Sequence, residues 1–246
     1  MNICFAIAHY KFFHSHRLDL TKELAKTHAV SIVTDCSKAI PQEIKYLKSL
    51  GIEIVNLPGR SKKNGYISYA LSLRRVIQNI NPEIVFYVTL EMSVFGAMIH
   101  HLVRIKKSFF LITGLGPFFY RKKLKYLTLR SIQRLLFAFA LVKKNCLFVF
   151  QNTDDLEAFI DLKIANQSNV KMIRGNGVNA SDLIYQDRKY ENKVIFLYAS
   201  RLVLSKGILE FINASKLLKE EYPDTEFHIA GGYDVEDPDS ISSKAF

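Results

Sequence analysis

Short and nearly continuous apolar runs alternate with amphipathic segments along this chain of 246 residues. Runs typical of strands buried on both faces occur at residues 3–8, 30–34, 52–57, 84–88, 109–113 and 147–150. Residues 170–173 fit one further strand, and helical spacing is found at residues 17–26, 67–80, 94–103 and 124–142. This β-α-β-α order predicts an α/β fold with a doubly wound, mostly parallel sheet.

A polar segment at residues 180–192 separates this series from a second one. Residues 194–198 form an apolar run that we expect to be a buried strand, an amphipathic helix follows Gly207, and residues 226–230 form another apolar run. We therefore expect two Rossmann-like domains, residues 1–187 and residues 188–246. Because the chain ends 14 residues after Gly232, we expect the second domain to be incomplete.

Charge is distributed unevenly between the two halves. The net charge of the whole chain is +11, made up of +16 in residues 1–150 and −5 in the remainder. Between Met92 and Thr153 there is no acidic residue, against eleven lysines and arginines. Such a positive field is expected to attract an anionic partner or surface.

Cysteine usage and hydropathy limit the class of protein. The three cysteines form no metal-ligand or redox spacing, which is typical of thiols in a reducing cytoplasm. The N-terminus reads as a first strand and not as a secretory signal. No apolar run approaches the roughly 20 residues needed to cross a bilayer.

Two cations follow the first strand of the second series. Arg201 and Lys206 lie in the loop between that strand and its helix, where open α/β sheets bind ligands. A forked guanidinium and a compact ammonium beside a helix N-terminus suit a diphosphate. Gly207, Gly231 and Gly232 would let the backbone approach a phosphate or leave room for a nucleotide. The alternative is that both cations are simply solvated.

These residues resemble the glycosyltransferases of family four, which have the GT-B fold. The resemblance rests on Arg201-Leu202 followed by Lys206-Gly207, and it extends to three further segments: Asn81-Pro82-Glu83-Ile84-Val85, Ile112-Thr113-Gly114-Leu115-Gly116 and Asn176-Gly177-Val178-Asn179. The family usually has Asp at the last of these positions. The segment Ile112-Thr113-Gly114-Leu115-Gly116 is similar to one found in bacterial members that build O-antigens, capsules and lipid-linked oligosaccharides.

The resemblance implies a retaining transferase. Such an enzyme moves a hexose or N-acetylhexosamine from a nucleotide sugar to a glycan acceptor, here expected to be lipid-linked, in surface polysaccharide biosynthesis. Arg201 and Lys206 would be the catalytic contacts to the donor diphosphate, with Gly207, Gly231 and Gly232 beside them. The nucleotide sugar is a co-substrate, and neither a metal nor another cofactor is expected.

The acceptor side of the cleft is expected at the carboxyl ends of the first strands. We assign to it His14, His16, Arg17, Thr113 and Gly114, which would touch the acceptor or a donor phosphate. The family's usual histidine is absent at Thr113, and His14-x-His16 lacks an evident third ligand for a metal. The alternative is that His14 and His16 are ordinary residues of a loop.

The family's pair of glutamates, seven residues apart in the C-terminal domain, is also absent, and the similar spacing of Glu83 and Glu91 is attributed to chance. We therefore expect little transferase activity from this chain alone. The alternative function is an inactive remnant that only binds an acceptor or a membrane.

A basic and aromatic segment at residues 118–134 predicts attachment to an anionic membrane surface. Its expected membrane face consists of Arg121, Lys122, Lys123, Lys125, Arg130 and Arg134. Helical spacing places Leu129, Ile132, Leu136 and Phe139 on another side, which would cover the sheet if this is an ordinary helix with a solvated basic side. No nucleic-acid-binding module accompanies the charge. The expected location is cytoplasmic, at the inner face of the plasma membrane.

Overall fold

The computed structural model of the chain describes residues 1–60, 65–115, 124–185, 193–233 and 239–241. The chain divides into two compact units, Met1–Asp182 and Leu183–Phe246. The boundary predicted after residue 187 lies outside the described residues. Both units contain parallel strands joined by helices, which confirms the predicted α/β class.

The first unit is built on a parallel sheet of seven strands in the order β3-β2-β1-β4-β5-β6-β7. In the middle of the sheet Phe5 of β1 pairs with Ile32 on one side and with Phe86 on the other. The predicted strands are confirmed within one or two residues at most ends, because their runs are apolar on both faces. The bounds are β1 Asn2–His9, β2 Ala29–Asp35, β3 Ile52–Asn56, β4 Ile84–Val88, β5 Lys107–Ile112, β6 Cys146–Phe150 and β7 Val170–Met172.

Helices connect these strands on both faces of the sheet. They are α1 Tyr10–His16, α2 Leu18–Ala25, α3 Pro41–Ser49, α4 Tyr66–Ile80, α5 Leu90–Ile99, α6 Leu124–Leu141 and α7 Thr153–Asp161. The helix expected from residue 17 onward is α2, but it is preceded directly by α1, and Arg17 is the non-helical break between the two. The helix expected at residues 94–103 begins four residues earlier, at Leu90, because Thr89 is its N-cap.

Two apolar clusters cover the two faces of the sheet. One contains Phe5, Phe13, Ile32 and Leu47, which belong to β1, α1, β2 and α3. The other contains the buried side chains of α4, α5 and α6 together with those of the central strands, among them Leu73, Phe95, Phe110, Phe137 and Phe148. Because both faces are covered, the carboxyl edge of the strands remains as the place where loops can form a site.

The longest described helix, α6, does not present its apolar residues as the sequence suggested. Leu129, Ile132 and Phe139 are exposed, and Leu136 is only half-buried. The buried positions are Phe137 and Ala140 instead. The expectation that the first group covers the sheet is therefore wrong, because α6 carries apolar residues on more than one side and Phe137 occupies the core position.

The second unit consists of β8 Ile195–Ala199, α8 Ile208–Glu221 and β9 Glu226–Ala230, with β8 and β9 parallel. Tyr198, Leu202, Ile208 and Ile241 form its small core. Of the run expected to be buried, only Tyr198 is buried. The reason is that, within the described residues, β8 has β9 as its single strand neighbour. None of the described helices combines the length and the apolar character that crossing a bilayer requires.

Candidate functional site

A cavity of about 330 Å³ opens at the point where the strand order of the first unit reverses. Strands β2 and β3 lie on one side of β1, and β4 begins the series on the other side. Open α/β sheets bind ligands at this switch point, outside the carboxyl ends of the strands. The walls come from the carboxyl ends of three adjacent strands. His9 is the last residue of β1 and Phe12 follows it, Thr89 and Glu91 follow β4, and Gly114 and Leu115 follow β5.

Thr89 holds an unusual backbone conformation in the wall of this cavity. Its φ is 85° and its ψ is 160°, a region that is close to glycine-only and is costly for a β-branched residue. The conformation is held in place because the Thr89 amide donates to the carbonyl of Leu111 at 2.9 Å and the Ser93 hydroxyl donates to the Thr89 carbonyl at 2.8 Å. Strain of this kind concentrates at functional sites. Here it sets the point at which α5 begins, and thereby the position of Glu91.

Glu91 provides a carboxylate at the rim of the cavity. One of its oxygens lies 3.8 Å from the Nε atom of Arg60, whose guanidinium lies 4.4 Å from the centre of the Tyr66 ring. Apolar wall is supplied by Phe12 and Leu115. A carboxylate beside an apolar wall fits a sugar ring, since hydroxyl groups can donate to the carboxylate and the C–H face can pack on the apolar side chains.

Asp35, at the end of β2, organises the loop that carries Arg60. It accepts hydrogen bonds from the amides of Ser37 at 2.9 Å and of Gly59 at 3.0 Å. Burial raises the pKa of Asp35, but these hydrogen bonds and the nearby His9 outweigh burial and hold the pKa below its usual range. A Cβ atom at Gly59 would lie 2.6 Å from the Asp35 carboxylate, so a larger residue here would displace that side chain from its hydrogen bond to the Gly59 amide.

The five residues expected on the acceptor side do not meet in one place. Gly114 lines the cavity and Thr113 precedes it, but His14 and His16 lie on α1 and are not among the lining residues. The His14 ring lies 3.5 Å from the carboxylate of Glu43 on α3. The ring of His16 stacks on Phe12 at 4.3 Å, so it supports a wall of the cavity from behind.

Arg17 is buried at the break between α1 and α2, with only 5% of its surface exposed. Its Nη1 atom donates to the side-chain oxygen of Asn176, which also accepts a hydrogen bond from Gln151 at 2.6 Å. Its Nε and Nη2 atoms have no hydrogen-bond partner among the described residues. Burial lowers the pKa of Arg17, but a guanidinium remains charged at neutral pH. A buried cation with two donor atoms that make no hydrogen bond within the described residues is suited to bind an anion.

In the second unit, Arg201 and Lys206 both lie on the connection between β8 and α8, and both are exposed. The carbonyl of Arg201 accepts hydrogen bonds from the Tyr198 hydroxyl at 3.1 Å and from the Val203 amide at 2.9 Å, which holds the loop to the end of β8. Lys206 ends a short 3-10 turn. Gly207 follows with a φ of 77°, which favours glycine, and α8 begins at the next residue.

The two glycines after β9 differ in their surroundings. A Cβ atom at Gly231 would lie 1.9 Å from the carbonyl oxygen of Ser200, whereas one at Gly232 would meet nothing within 4 Å. The pairing of the two strands continues past their ends, since the Ser200 amide donates to Ala230 and the Leu202 amide donates to Gly232. Gly231 is thus required by backbone packing, whereas Gly232 has open space for a ligand beside it among the described residues.

Sequence reasoning missed His9, Phe12, Thr89 and Glu91 as a group. The strand order that brings them together joins residues far apart in the chain, and the one available signal was that each follows a predicted strand.

Of the expected membrane face, Arg130 is half-buried and Arg134 is exposed on α6. The side chains of Arg121, Lys122, Lys123 and Lys125 lie outside the described residues.

Comparison with known proteins agrees with this architecture. The family model described as "Glycosyl transferase 4-like" matches residues 2–152, more than half of the chain. A curated relative, N,N'-diacetylbacillosaminyl-diphospho-undecaprenol alpha-1,3-N-acetylgalactosaminyltransferase of Campylobacter jejuni, is 23% identical over 224 residues. That alignment covers 82% of this chain and 57% of the relative, so the chain spans little more than half of the relative's length.

Solved structures show the same fold at low sequence identity. Sucrose-phosphate synthase from Thermosynechococcus elongatus superposes with a TM-score of 0.63 at 11% identity, over 97% of this chain and 64% of that protein. Anabaena HepE, solved in complex with UDP and glucose, gives a TM-score of 0.63 at 15% identity, over 93% of this chain and 60% of that protein. These likenesses confirm the expected GT-B fold class. From the extent of the family match, this chain belongs to the glycosyl transferase 4-like family.

Proposed function

We propose that this chain acts in the retaining transfer of a hexose or N-acetylhexosamine from a nucleotide sugar to a lipid-linked glycan during surface polysaccharide biosynthesis. The observation that carries the proposal is the cavity at the strand switch point, which lies within the part of the chain that the family model matches. The name of the Campylobacter relative, which specifies a diphospho-undecaprenol acceptor, supports a lipid-linked acceptor here.

In this proposal the acceptor sugar occupies the cavity of the first unit. Glu91 accepts hydrogen bonds from its hydroxyl groups, and Phe12 and Leu115 pack on its apolar face. Thr89 keeps Glu91 at the mouth of the cavity through the strained start of α5. A hydrogen bond from a sugar hydroxyl to a carboxylate is charge-assisted and so contributes more than a neutral one.

Arg201 and Lys206 hold the donor diphosphate in the second unit. Their positive charges stabilise the negative charge that builds on the phosphate as the glycosidic bond breaks, and a preorganised donor of this kind lowers the barrier by on the order of 3 kcal/mol. Arg17 takes a phosphate group on its two unused donors. That phosphate belongs either to the donor or to the diphosphate that links the acceptor to its lipid.

The proposed reaction needs no reactant other than the donor and the acceptor. The bond between the sugar's anomeric carbon and the phosphate oxygen breaks, and the acceptor oxygen forms a bond to the same face of that carbon. The acceptor hydroxyl gives its proton to the departing phosphate oxygen, so no protein base is needed. With an acceptor carried by a lipid, we propose that this chemistry takes place at the cytoplasmic face of a membrane.

A transfer assay tests the proposal. A panel of nucleotide sugars is incubated with the protein and a polyprenyl-diphosphate-linked glycan, and the product is detected by mass spectrometry. We expect one donor to be used, at the low turnover expected from the sequence, and Glu91→Gln to raise the KM for the acceptor about tenfold, since one charge-assisted hydrogen bond is weakened. The matched control is Glu157→Gln, which removes the same charge from an exposed position on α7.

A negative result in the transfer assay is interpreted together with a measurement of UDP and nucleotide-sugar binding. If the protein binds neither UDP nor any nucleotide sugar and transfers nothing, the proposal is wrong. If transfer occurs but Glu91→Gln behaves like Glu157→Gln, the transferase function stands and the acceptor is not in the cavity.

A further inference from the structure

The solvent-facing side of α6 carries a continuous row of apolar side chains. Leu124 is 79% exposed, Leu135 70% and Phe139 57%. The residues of this apolar row recur at spacings of three to five positions, which places them on one side of the helix, and they are Leu124, Leu127, Ile132, Leu135 and Phe139. Val142, exposed just after the helix, extends the row.

The opposite side of α6 already fulfils its packing role. Phe137 and Ala140 are fully buried, and the Phe137 ring packs against Phe110 and Phe148 of the sheet. The helix therefore has one apolar side in the core and a second apolar side that is largely exposed, on which the Phe139 ring also lies 4.0 Å from the ring of His101. Contiguous exposed apolar surface of this kind marks an interaction site in a folded protein.

The charges around the row determine what can cover it. Arg134 is exposed on α6 about 100° around the helix from Leu135, and Arg130, four residues earlier, lies on the same flank. Lys143 and Lys144 are exposed just beyond the C-terminal end of the helix. Because there is no acidic residue between Met92 and Thr153, a second copy of the chain would bring the same positive charge to the contact, whereas an anionic lipid surface would neutralise it.

We propose that α6 lies in the plane of an anionic bilayer interface, with its apolar row inserted below the headgroups and its arginines and the following lysines at headgroup level. This is the arrangement of a monotopic amphipathic helix, in which apolar insertion and charge attraction act together. The inference deepens the proposed location at a membrane, but it requires neither a donor nor catalysis. Its test reads lipid binding, so it can fail while the transferase function stands.

Vesicle co-sedimentation is the first test. We expect the wild-type chain to bind vesicles of phosphatidylcholine with 30% phosphatidylglycerol and to bind pure phosphatidylcholine far less. The double variant Leu135→Gln with Phe139→Gln should weaken binding to the anionic vesicles at least about tenfold, since two inserted side chains are lost. Arg134→Gln with Lys144→Gln should weaken it as well, by about five-fold for each cation removed at low salt.

The chain offers a matched control on another helix. Ile67 and Leu71 on α4 have the same four-residue spacing and are 71% and 42% exposed. Replacing both with glutamine makes the same chemical change on an exposed helical surface, and we expect vesicle binding to stay at the wild-type level. Circular dichroism and thermal unfolding verify that all three double variants are folded.

Insertion depth is the second test. The chain contains no tryptophan, so Leu135→Trp provides a single fluorescent probe. We expect its emission to shift to the blue on anionic vesicles and to be quenched by brominated acyl chains, whereas the indole introduced by Ile67→Trp should stay in water. Quenching at position 135 without quenching at position 67 supports the proposal.

Three results would overturn it. The first is that Leu135→Gln with Phe139→Gln binds anionic vesicles as well as the wild type. The second is that the protein binds vesicles but the probe at position 135 is not quenched. The binding would then be due to charge attraction at the surface alone. The third is that the wild type is a dimer in light scattering and the double variant a monomer, which would assign the apolar row to a contact between copies.

Discussion

The guanidinium of Arg17 donates a hydrogen bond to the side-chain oxygen of Asn176, although the two residues are 159 positions apart. Asn176 also accepts from Gln151, which follows β6, and Asn176 itself follows β7. One amide oxygen therefore joins the connection after β1 to the loops after the last two strands of the sheet. The Asn-Gly-Val-Asn segment that suggested the family from sequence has a structural role of its own here.

Replacing Arg17 with methionine separates binding from stability. A buried cation with unused donors is costly to desolvate, so we expect Arg17→Met to change the free energy of unfolding by less than about 1 kcal/mol, or to raise it. Affinity for inorganic pyrophosphate should fall at least about tenfold, because charge-assisted hydrogen bonds are lost. Urea unfolding and calorimetric titration measure the two quantities. Lower stability with unchanged pyrophosphate affinity would show a purely structural role.

Arg201 and Lys206 are expected to dominate nucleotide binding in the second unit. Each alanine variant should weaken the affinity for UDP at least about tenfold, since a hydrogen bond to a charged phosphate contributes about 1.5–3 kcal/mol. The matched controls are Lys216→Ala and Lys219→Ala, which remove the same charge from exposed positions on α8. If all four variants bind UDP with wild-type affinity in calorimetry, the diphosphate does not lie at this loop.

Replacement by alanine should destabilise the second unit at Gly231 but not at Gly232. Gly231→Ala would place a Cβ atom 1.9 Å from the Ser200 carbonyl oxygen, so the ends of β8 and β9 must separate. We expect a loss of about 1–3 kcal/mol in the free energy of unfolding of the second unit. Gly232→Ala meets nothing within 4 Å and should leave it unchanged. Equal urea midpoints for the two variants would contradict the close approach.

Thr89 is expected to contribute strain that glycine would release. Thr89→Gly should raise the free energy of unfolding by about 1 kcal/mol, since the strain of about 1–3 kcal/mol is partly offset by the entropy of glycine. Thr89→Ala keeps the strained backbone, removes the hydroxyl and should not stabilise. Thermal unfolding compares them. A lower stability for Thr89→Gly than for Thr89→Ala would mean that the positive φ is not strained here.

His100 should make the first unit sensitive to acid. Its ring contacts Asn145 at 2.7 Å and Ser108 at 3.3 Å, and burial lowers its pKa, as do Lys143 and His101, against the opposing effect of the Asn145 hydrogen bond. Because the folded pKa lies below the unfolded value of about 6.5, the unfolded chain takes up the proton first, and stability falls as the pH drops through this range.

The measurement for His100 is the change in unfolding midpoint between pH 7.5 and pH 5.5. We expect His100→Gln, which cannot be protonated, to lose less stability over this interval than the wild type. If the two proteins show the same pH dependence, another group is responsible for the acid sensitivity.

The strands of the first unit could be predicted from sequence because a strand buried on both faces must be apolar at nearly every position. The short helices α1 and α3 could not be predicted in the same way. The first follows β1 without a loop, and the second is amphipathic over only nine residues. Sequence also located Arg201, Lys206 and Gly207 on the connection after β8, because that placement depends only on local order.

What the sequence determined by itself is thus the alternation of strands and helices, the parallel sheet and the concentration of positive charge before residue 150. Tertiary structure decided which residues share a cavity, that Arg17 meets Asn176, and which side of α6 faces water. These depend on strand order and on competition between two apolar helix sides for one core, and both are settled by contacts between residues far apart in the chain.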